Sequence, residues 1–273
     1  MSLECEGNEF VGRQKKNFFQ KNSSSGGQQI HLQIFKTLAW LIYMLFYTTK
    51  IENGFAHLDE EESRHLLTVL RRKPGDKLQL TDGQGFFYEA ELAEAGKRHA
   101  LARVISSKEA PPERLARLHI AIAPTKQIER FEWFLEKAVE IGVDEITPLL
   151  CQRSERNIVQ LDRLEKIMIS AMKQSFRARL PKLNELTRFQ KFAITASEAQ
   201  KRIAWCSAAS LPHLKTMISP HQNTIIAIGP EGDFSPEEVE LALQNGFNGV
   251  GLGKARLRTE TAGVLAVSIF NLL

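Results

Sequence analysis

The stretch TIIAIGPEGDFSPEE, residues 224–238, decides the fold of this chain. Its first five residues, 224–228, are an unbroken apolar and β-branched run that predicts a buried strand. A turn bracketed by Gly229 and Gly232 follows, and a helix begins soon after it. Ser235 is a favourable N-cap, Pro236 suits the first helical position, and residue 238 is the glutamate that completes a capping box. The stretch therefore predicts one strand–turn–helix unit of an α/β sheet.

The turn between this strand and its helix has the composition of a ligand loop but not of a nucleotide-phosphate loop. It lacks the Gly-Lys-Ser/Thr of a P-loop, and it is not a G-x-G-x-x-G fingerprint. Glu231 and Asp233 would repel a polyphosphate, so a neutral or cationic ligand is more compatible with it. A tight turn with a purely structural role is the alternative for this loop taken alone.

A second glycine-containing segment, LGKARLRTETA at residues 252–262, also leads from a strand into a helix. Strand ends of this kind present free backbone N–H groups of the helix to a ligand. Arg258 and Glu260 stand at the mouth of a helix whose body is apolar. Taken alone, these two charges are equally compatible with a salt bridge at a helix start.

Outward from these segments, residues 110–273 alternate between strand and helix patterns. Strands are predicted at 118–123, 146–150, 202–206, 224–228 and 249–252, and helices at 129–141, 161–175, 236–244 and from 259 onward. This alternation predicts an α/β domain with a mainly parallel sheet.

Residues 44–109 have a different pattern, with short strands separated by turns. Strands are predicted at 78–81, 86–92 and 100–105, with a hairpin turn at 82–85. An acidic helix start at 59–63 precedes an apolar run that ends before Pro74. We therefore expect a small β-barrel-like domain, joined to the α/β domain by a linker at 110–113.

Residues 1–43 are foreign in composition to the rest of the chain. A polar, low-complexity stretch at 21–29 precedes an apolar patch at 38–47, which is about half the ~20 residues needed to cross a bilayer. No signal-peptide cleavage site follows the patch. We expect no membrane association, and we expect Met44 to be the natural start, with 1–43 a disordered, non-native or mis-started leader.

The chain has three widely spaced cysteines and a formal net charge of +4. The cysteines form no CxxC pair, which argues against a disulfide framework or a zinc site and favours a reducing cytoplasm. No His/Cys/Asp cluster indicates another metal site.

Positive charge is concentrated in two islands, one in each predicted domain. Residues 153–188 carry nine basic and four acidic side chains, and the stretch 173–179 has no acid within it. Two islands on different domains favour a polyanion lying across both, although solvated helix faces with ordinary ion pairs are the alternative. The RNA-binding candidates are Arg64, Arg71, Arg72, Lys73, Lys126, Arg153, Lys173, Arg177 and Arg179.

Taken together, these motifs resemble the ribosomal RNA small-subunit methyltransferase E family of the SPOUT superfamily. The resemblance rests on the Gly229–Gly232 turn with Phe234 and Ser235, on Leu252-Gly253 and on 257–262, supported by 137–143, 146–149, 174–181 and the pattern around His65 and 69–83. It covers about 44–273. The chain departs from the family at Asp233, where a glycine is usual, and at Lys254-Ala255-Arg256.

This resemblance implies a PUA-like β-barrel followed by a SPOUT α/β domain with a C-terminal trefoil knot, in a cytoplasmic homodimer. It implies S-adenosylmethionine as the cofactor and 16S ribosomal RNA, or the small subunit, as the partner. The implied cofactor-binding residues are Ile228, Gly229, Pro230, Glu231, Gly232, Leu252, Gly253, Leu257, Arg258, Thr259, Thr261 and Ala262.

The implied reaction is methyl transfer to N3 of a uridine. Because uracil N3–H is a weak acid, the chemistry needs a proton acceptor and a cation that stabilises charge on the uracil oxygens. Glu260 and Arg258 are the candidates for these two roles, and Arg177 is a candidate for positioning the substrate. No metal is required.

Three rival functions remain open from the sequence. One is a SPOUT methyltransferase acting on transfer RNA or on a ribose 2'-oxygen, and another is a noncatalytic RNA-binding assembly factor. A dinucleotide-dependent dehydrogenase is the most distant, because the chain lacks the glycine fingerprint of that fold.

Overall fold

The N-terminal part of the chain is built mainly from short strands. We describe a computed structural model of the chain over residues 44–96, 98–206 and 210–273; the predicted leader lies outside these residues. A five-residue helix α1, Glu60–Arg64, runs directly into a π-helical turn, His65–Val69. The strands are β1 (Leu45–Tyr47), β2 (Lys50–Glu52), β3 (Phe55–Leu58), β4 (Lys77–Thr81), β5 (Phe86–Ala95) and β6 (Ala100–Glu109).

Within the described residues these strands form one sheet in the order β1-β4-β5-β6-β3-β2. The two edge strands, β1 and β2, are separated by only two residues of chain, so the sheet must curl until its edges approach. Thr48 joins them, because its backbone N–H donates to the carbonyl of Thr81 on β4 (3.1 Å) and its hydroxyl donates to the carbonyl of His57 on β3. Leu66, Leu80 and other apolar side chains fill the interior. The barrel-like domain expected from the sequence is confirmed as a curled sheet.

The rest of the chain alternates between parallel strands and helices. The strands are β7 (Leu118–Ile122), β8 (Glu145–Leu150), β9 (Lys182–Leu183), β10 (Thr187–Arg188), β11 (Gln200–Ala204), β12 (Thr224–Ile228) and β13 (Asn248–Val250). The helices are α2 (Ile128–Ile141), α3 (Leu161–Gln174), α4 (Phe189–Thr195), α5 (Leu214–Met217), α6 (Pro236–Gln244) and α7 (Thr259–Asn271).

In the described part of the chain the second sheet has the order β10-β8-β7-β12-β11-β13, with β9 also paired to β8. Every one of these pairings is parallel. Alternate residues of the central strand β12 enter different cores, with Ile226 beside α2, α3 and α7 and Ile225 beside α4 and α6. Covering both faces explains why β12 is an unbroken apolar run. The predicted parallel α/β fold is confirmed.

Local signals in the sequence set the ends of several helices. Ser235 accepts a hydrogen bond from the backbone N–H of Glu238, whose carboxylate accepts from the N–H of Ser235, so the predicted capping box of α6 is present. Helix α2 ends at Gly142, whose φ of 118° lies in a region that favours glycine. The boundaries of both helices lie within one residue of the prediction.

The two sheets meet along the segment that follows α3. The carbonyl of Ala178 accepts hydrogen bonds from the Thr81 hydroxyl (3.2 Å) and the Gly85 N–H (2.8 Å), while the Leu180 N–H donates to the carbonyl of Gly83 (2.8 Å). The predicted hairpin turn of the N-terminal part is thus the element that docks on the α/β part. The domain division near residue 110 and the trefoil knot stay predictions, because strand order and register alone do not test them.

Candidate functional site

A cleft of about 850 Å³ opens at the carboxyl edge of the parallel sheet. The last residues of three neighbouring strands form its floor, namely Ala204 of β11, Ile228 of β12 and Val250 of β13. Ligands of open α/β sheets bind outside the carboxyl ends of the strands, and this volume suits a small organic ligand. The two glycine-containing loops of the sequence both open into this cleft.

Ten of the twelve predicted cofactor residues line the cleft. Gly232 and Thr261 do not; the first lies against Arg153, and the second is exposed on the outer side of α7. The ten are Ile228, Gly229, Pro230, Glu231, Leu252, Gly253, Leu257, Arg258, Thr259 and Ala262. The structure thus brings together segments that are about 25 residues apart in the sequence.

Hydrogen bonds hold the loop after β12 against its neighbours. Glu231 accepts through Oε1 from the backbone N–H of Lys126 (2.9 Å), in the loop that follows β7. The Thr259 hydroxyl donates to the carbonyl of Gly229 (3.1 Å) and ties the start of α7 to this loop. The Glu231 carboxylate is therefore engaged in loop structure.

Asp233 links the loop after β12 to the segment after β11. Its backbone φ is 63°, in the left-handed region that aspartate tolerates better than most residues. Its carboxylate accepts from the N–H of Cys206 and from the N–H of Phe234, both at 2.8 Å. Glycine at this position would satisfy the same backbone angle but would lose both hydrogen bonds. The departure from the family pattern therefore adds a tie across the cleft.

The start of α7 places the two predicted catalytic residues in different surroundings. Arg258 is the N-cap residue and is exposed at the cleft, whereas Glu260 is buried and does not line the cleft. The helix is fixed in depth at Gly263, where a Cβ atom would lie 2.5 Å from the ring of Phe134 on α2. Arg258 thus stands where the prediction requires it, and Glu260 lies behind the cleft wall.

The sequence interpretation did not identify several residues that line the cleft. Arg130, near the start of α2, lines the cleft, and its Nε lies 4.0 Å from Oε1 of Glu260. Trp205 and Cys206 follow β11 directly, and Leu211 lies beyond them. The rule that ligands bind at the carboxyl ends of parallel strands points to the position after β11; nothing in the local sequence points to Arg130.

Cys206 is exposed at the cleft but is not a reactive nucleophile. Burial of the thiol, together with the negative charge of Asp233, raises its pKa. The thiol is therefore protonated at neutral pH, and chemistry in the cleft does not depend on a thiolate.

Of the predicted RNA-binding residues, those after the π-helical turn are free to meet a polyanion. Arg64, Arg71 and Lys73 are exposed and Arg72 is half-buried, and none forms an ion pair with any residue that the structure describes. Lys126 pairs through Nζ with Glu155 (2.7 Å), and Arg153 donates to the carbonyls of Gly232 and Phe234.

The prediction that the stretch 173–179 has no acidic partner is wrong. Its three cations pair with acids that lie 64 to 111 residues earlier in the chain. The pairs are Lys173 with Glu62, Arg177 with Glu113, and Arg179 with Glu109. Local charge counting missed them because folding brings the barrel and the linker onto this segment.

Arg177 has a structural position instead of an open one. Its guanidinium donates to the carbonyls of Glu140 (3.1 Å) and Ile141 (2.7 Å), which are among the last of α2. Terminal carbonyls of a helix lack partners within the helix, and a cation there also complements the helix dipole. Arg177 thus caps α2, and its predicted role in positioning the substrate stays a prediction.

The described residues narrow the class of protein further. They contain no helix long and apolar enough to cross a membrane. They also contain no group of three His, Cys, Asp or Glu side chains placed to hold a metal ion. A ligand cleft on a parallel sheet, joined to a small curled sheet with an unpaired basic edge, defines an α/β ligand-binding protein suited to a polyanionic partner.

Comparison with known families places the chain among RNA methyltransferases. A family model described as an RNA methyltransferase domain matches residues 111–271, and one described as an RNA methyltransferase PUA domain matches 58–105. The "Ribosomal RNA small subunit methyltransferase E" of Mesomycoplasma hyopneumoniae is 31% identical over 232 residues, covering 83% of this chain and 98% of that protein. The chain belongs to the ribosomal RNA small subunit methyltransferase E family, as its motifs indicate.

Solved structures agree with this assignment. A probable rRNA-methyltransferase from Porphyromonas gingivalis is 43% identical, with a TM-score of 0.77 over 82% of this chain and 95% of that chain. A ribosomal RNA small subunit methyltransferase E from Neisseria gonorrhoeae, solved with S-adenosyl methionine bound, is 28% identical. Its TM-score is 0.73 over 83% of this chain and 95% of its own. The predicted fold class of a SPOUT-type α/β domain after a PUA-like domain is confirmed.

Proposed function

We propose that this protein transfers a methyl group from S-adenosylmethionine to N3 of a uridine in 16S ribosomal RNA. The observation that carries the proposal is the cleft at the carboxyl ends of β11, β12 and β13, whose walls are the segments that match the family. Relatives named for methylation of small-subunit ribosomal RNA, one of them solved with this cofactor bound, support it.

The cleft suits S-adenosylmethionine in size and in chemistry. Its lining combines apolar side chains such as Leu252 and Leu257 with backbone groups of the loops at Gly229 and Gly253. No lysine of a phosphate-binding loop is present, and the nearby carboxylates of Glu231 and Asp233 favour a cationic ligand over an anionic one. When bound, the cofactor supplies an electrophilic methyl group on a sulfonium centre.

The protein's own contribution is to make uracil N3 a nucleophile. Arg258, exposed at the cleft, stabilises negative charge that develops on the uracil oxygens as N3 loses its proton. Glu260 accepts that proton, and the helix N-terminus at which it lies favours its charged form. No metal takes part in these steps.

The RNA approaches the cleft past the basic edge formed by Arg64, Arg71, Arg72 and Lys73. These side chains have no acidic partner among the described residues, so their charges are available to phosphates. Lys126, Arg153 and the cations of 173–179 contribute less, because intramolecular partners already engage them.

The assembly proposed here is a cytoplasmic homodimer that acts on the small ribosomal subunit. Helix α7 supports it, since Leu265 and Ile269 are apolar yet only half-buried within one chain. We keep the division into a barrel (44–109) and a knotted catalytic domain (110–273) as part of the proposal.

Calorimetry followed by a transfer assay tests the proposal. The purified protein is titrated with S-adenosylmethionine and then incubated with radiolabelled cofactor and small subunits whose RNA lacks modification. We expect cofactor binding and label in N3-methyluridine after nucleoside digestion. Absence of cofactor binding would favour an RNA-binding assembly factor, and label in transfer RNA or on ribose would favour another SPOUT activity.

A further inference from the structure

Glu260 is a buried carboxylate with an incomplete set of partners. The residue is 7% exposed, and its Oε2 atom has no hydrogen-bond donor within the described part of the chain. Removing a carboxylate from water costs free energy unless a cation and hydrogen bonds compensate. A buried polar atom without a partner therefore requires an explanation, and a donor on a ligand is one.

Arg130 is the residue that connects this carboxylate to the cleft. It belongs to the first turn of α2, lines the cleft, and places its Nε 4.0 Å from Oε1 of Glu260. Its side chain is 37% exposed, against 9% for that of Glu260. One end of the ion pair thus faces the cleft, while the other lies within the protein.

Packing fixes the relative position of the two helices that carry the pair. A Cβ atom at Gly263 of α7 would lie 2.5 Å from Phe134 of α2 and 2.9 Å from Ile122 of β7. The close approach leaves little freedom for α7 to slide against α2. Arg130 therefore holds its place beside Glu260 through rigid elements.

No other charge in the described residues forms an ion pair with Glu260. The charged groups on the elements around it are either engaged elsewhere or exposed. They are Glu132, paired with Arg163; Glu231, bonded to the Lys126 N–H; and the exposed Glu129, Lys215 and Arg258. Arg130 is thus the cation that compensates this carboxylate.

We propose that Arg130 is a positioning residue that keeps Glu260 ionised and oriented for proton transfer at the cleft. The inference rests on the proposed function and adds to it a residue that the motifs do not reveal. Through this pair the first turn of α2 becomes part of the site, although α2 lies about 130 residues before α7 in the sequence.

The test compares Arg130→Gln and Arg130→Lys with the wild type in the methyl-transfer assay across pH. Losing the cation raises the pKa of a neighbouring carboxylate by about 1 to 3 units. In Arg130→Gln we therefore expect the acid limb of the kcat profile to move to higher pH by about 1 unit or more. We expect kcat at neutral pH to fall, the affinity for S-adenosylmethionine to stay within a few-fold, and Arg130→Lys to recover much of the activity.

Arg163→Gln is the matched control, since it removes the arginine of another arginine–glutamate pair on α2, away from the cleft. We expect its pH profile to match that of the wild type. An unchanged acid limb in Arg130→Gln, or equal losses in the Gln and Lys variants with the limb unmoved, would overturn the inference.

Carbon NMR titration of the Glu260 carboxyl in the wild type and in Arg130→Gln decides the point without turnover. A higher pKa in the variant supports the pair, and an equal pKa overturns it. If the wild type binds cofactor but methylates no small-subunit RNA, the proposed function fails whatever the titration shows, so the two failures are distinguishable.

Discussion

Asp233 shows how one side chain can replace a glycine and add a constraint. Its left-handed backbone (φ 63°) explains why glycine suits this position, and its carboxylate ties Cys206 and Phe234 to the cleft loop. The departure from the family pattern is therefore compatible with the loop geometry and stiffens it.

We expect Asp233→Ala to lower the free energy of unfolding by about 1–3 kcal/mol, because a strained backbone angle remains and two hydrogen bonds are lost. Binding of S-adenosylmethionine should weaken several-fold. Denaturant unfolding and calorimetry measure the two effects. Asp233→Asn, which keeps one carbonyl acceptor and tolerates the angle, should lose less; an Ala variant equal to the wild type in both assays would contradict the account.

Arg258 is the residue whose loss should separate chemistry from binding. We expect Arg258→Ala to lower kcat for methyl transfer by about 100-fold, the scale of losing one stabilising donor for developing charge. The cofactor affinity should change much less, because the side chain is exposed at the rim of the cleft. A loss confined to KM for the RNA would assign Arg258 to RNA binding alone.

At this scale the sequence predicts residues within a loop better than pairs across the fold. Ten of the cofactor candidates line the cleft because they belong to two continuous motifs. Arg130 was missed, and Arg177 was taken as unpaired, because their partners are set by the packing of α2, α7 and the linker.

Among the elements, strand β7 carries a buried polar cluster at the end opposite the cleft. His119 lies within hydrogen-bond distance of Glu198 through Nδ1 (2.9 Å) and of the Thr147 hydroxyl through Nε2 (2.7 Å). The cluster joins β7, β8 and the segment before β11. Thr147 is buried and also accepts from Asn184, so the cluster is structural and not a nucleophile.

This cluster predicts a pH dependence of stability. Burial alone would raise the pKa of Glu198, but the hydrogen bond to His119 and backbone N–H groups outweigh it and lower the pKa below its usual 4.5. Its stabilising contribution is therefore present above about pH 4.5 and is lost as pH falls through the lower, folded-state value. In urea unfolding from about pH 6 to about pH 3, Glu198→Gln should lose less stability than the wild type; parallel curves would contradict this.

Elements with strong local signals were predicted well, and short ones were not. The capping box and the glycine stop place α6 and α2 within a residue. The helix α4 was missed because seven residues give too little periodicity; Phe189 and Phe192 hold it by packing on the sheet. The strands β1–β3 were not assigned individually, since pairing with distant strands stabilises them.

At the scale of the whole molecule, a buried ion pair joins the barrel to the catalytic part. Lys173 of α3 meets Glu62 of α1, where the Glu62 side chain is only 6% exposed. Lys166 and Glu61 join the same two helices at the surface, 3.6 Å apart and mostly exposed. One interface thus offers a buried pair and a surface pair for comparison.

We expect Lys173→Met to lower the free energy of unfolding by about 3 kcal/mol, because it leaves a buried carboxylate without its cation. Lys166→Met should change it by less than about 1 kcal/mol, as is usual for exposed pairs. Denaturant unfolding measures both, and the double change Lys173→Met with Glu62→Gln should recover part of the loss. Equal effects of the two lysine variants would show that burial of the pair does not matter.

The central claim is tested most directly by mapping modified nucleotides in ribosomal RNA from a strain that lacks this protein. Mass spectrometry of 16S RNA should show the loss of one methyl group from N3 of a uridine. The wild-type gene should restore that methyl group, and the Arg258→Ala gene should not. Retention of every methyl group in the deletion strain, or loss of a methyl group from a ribose or from transfer RNA instead, would contradict the account.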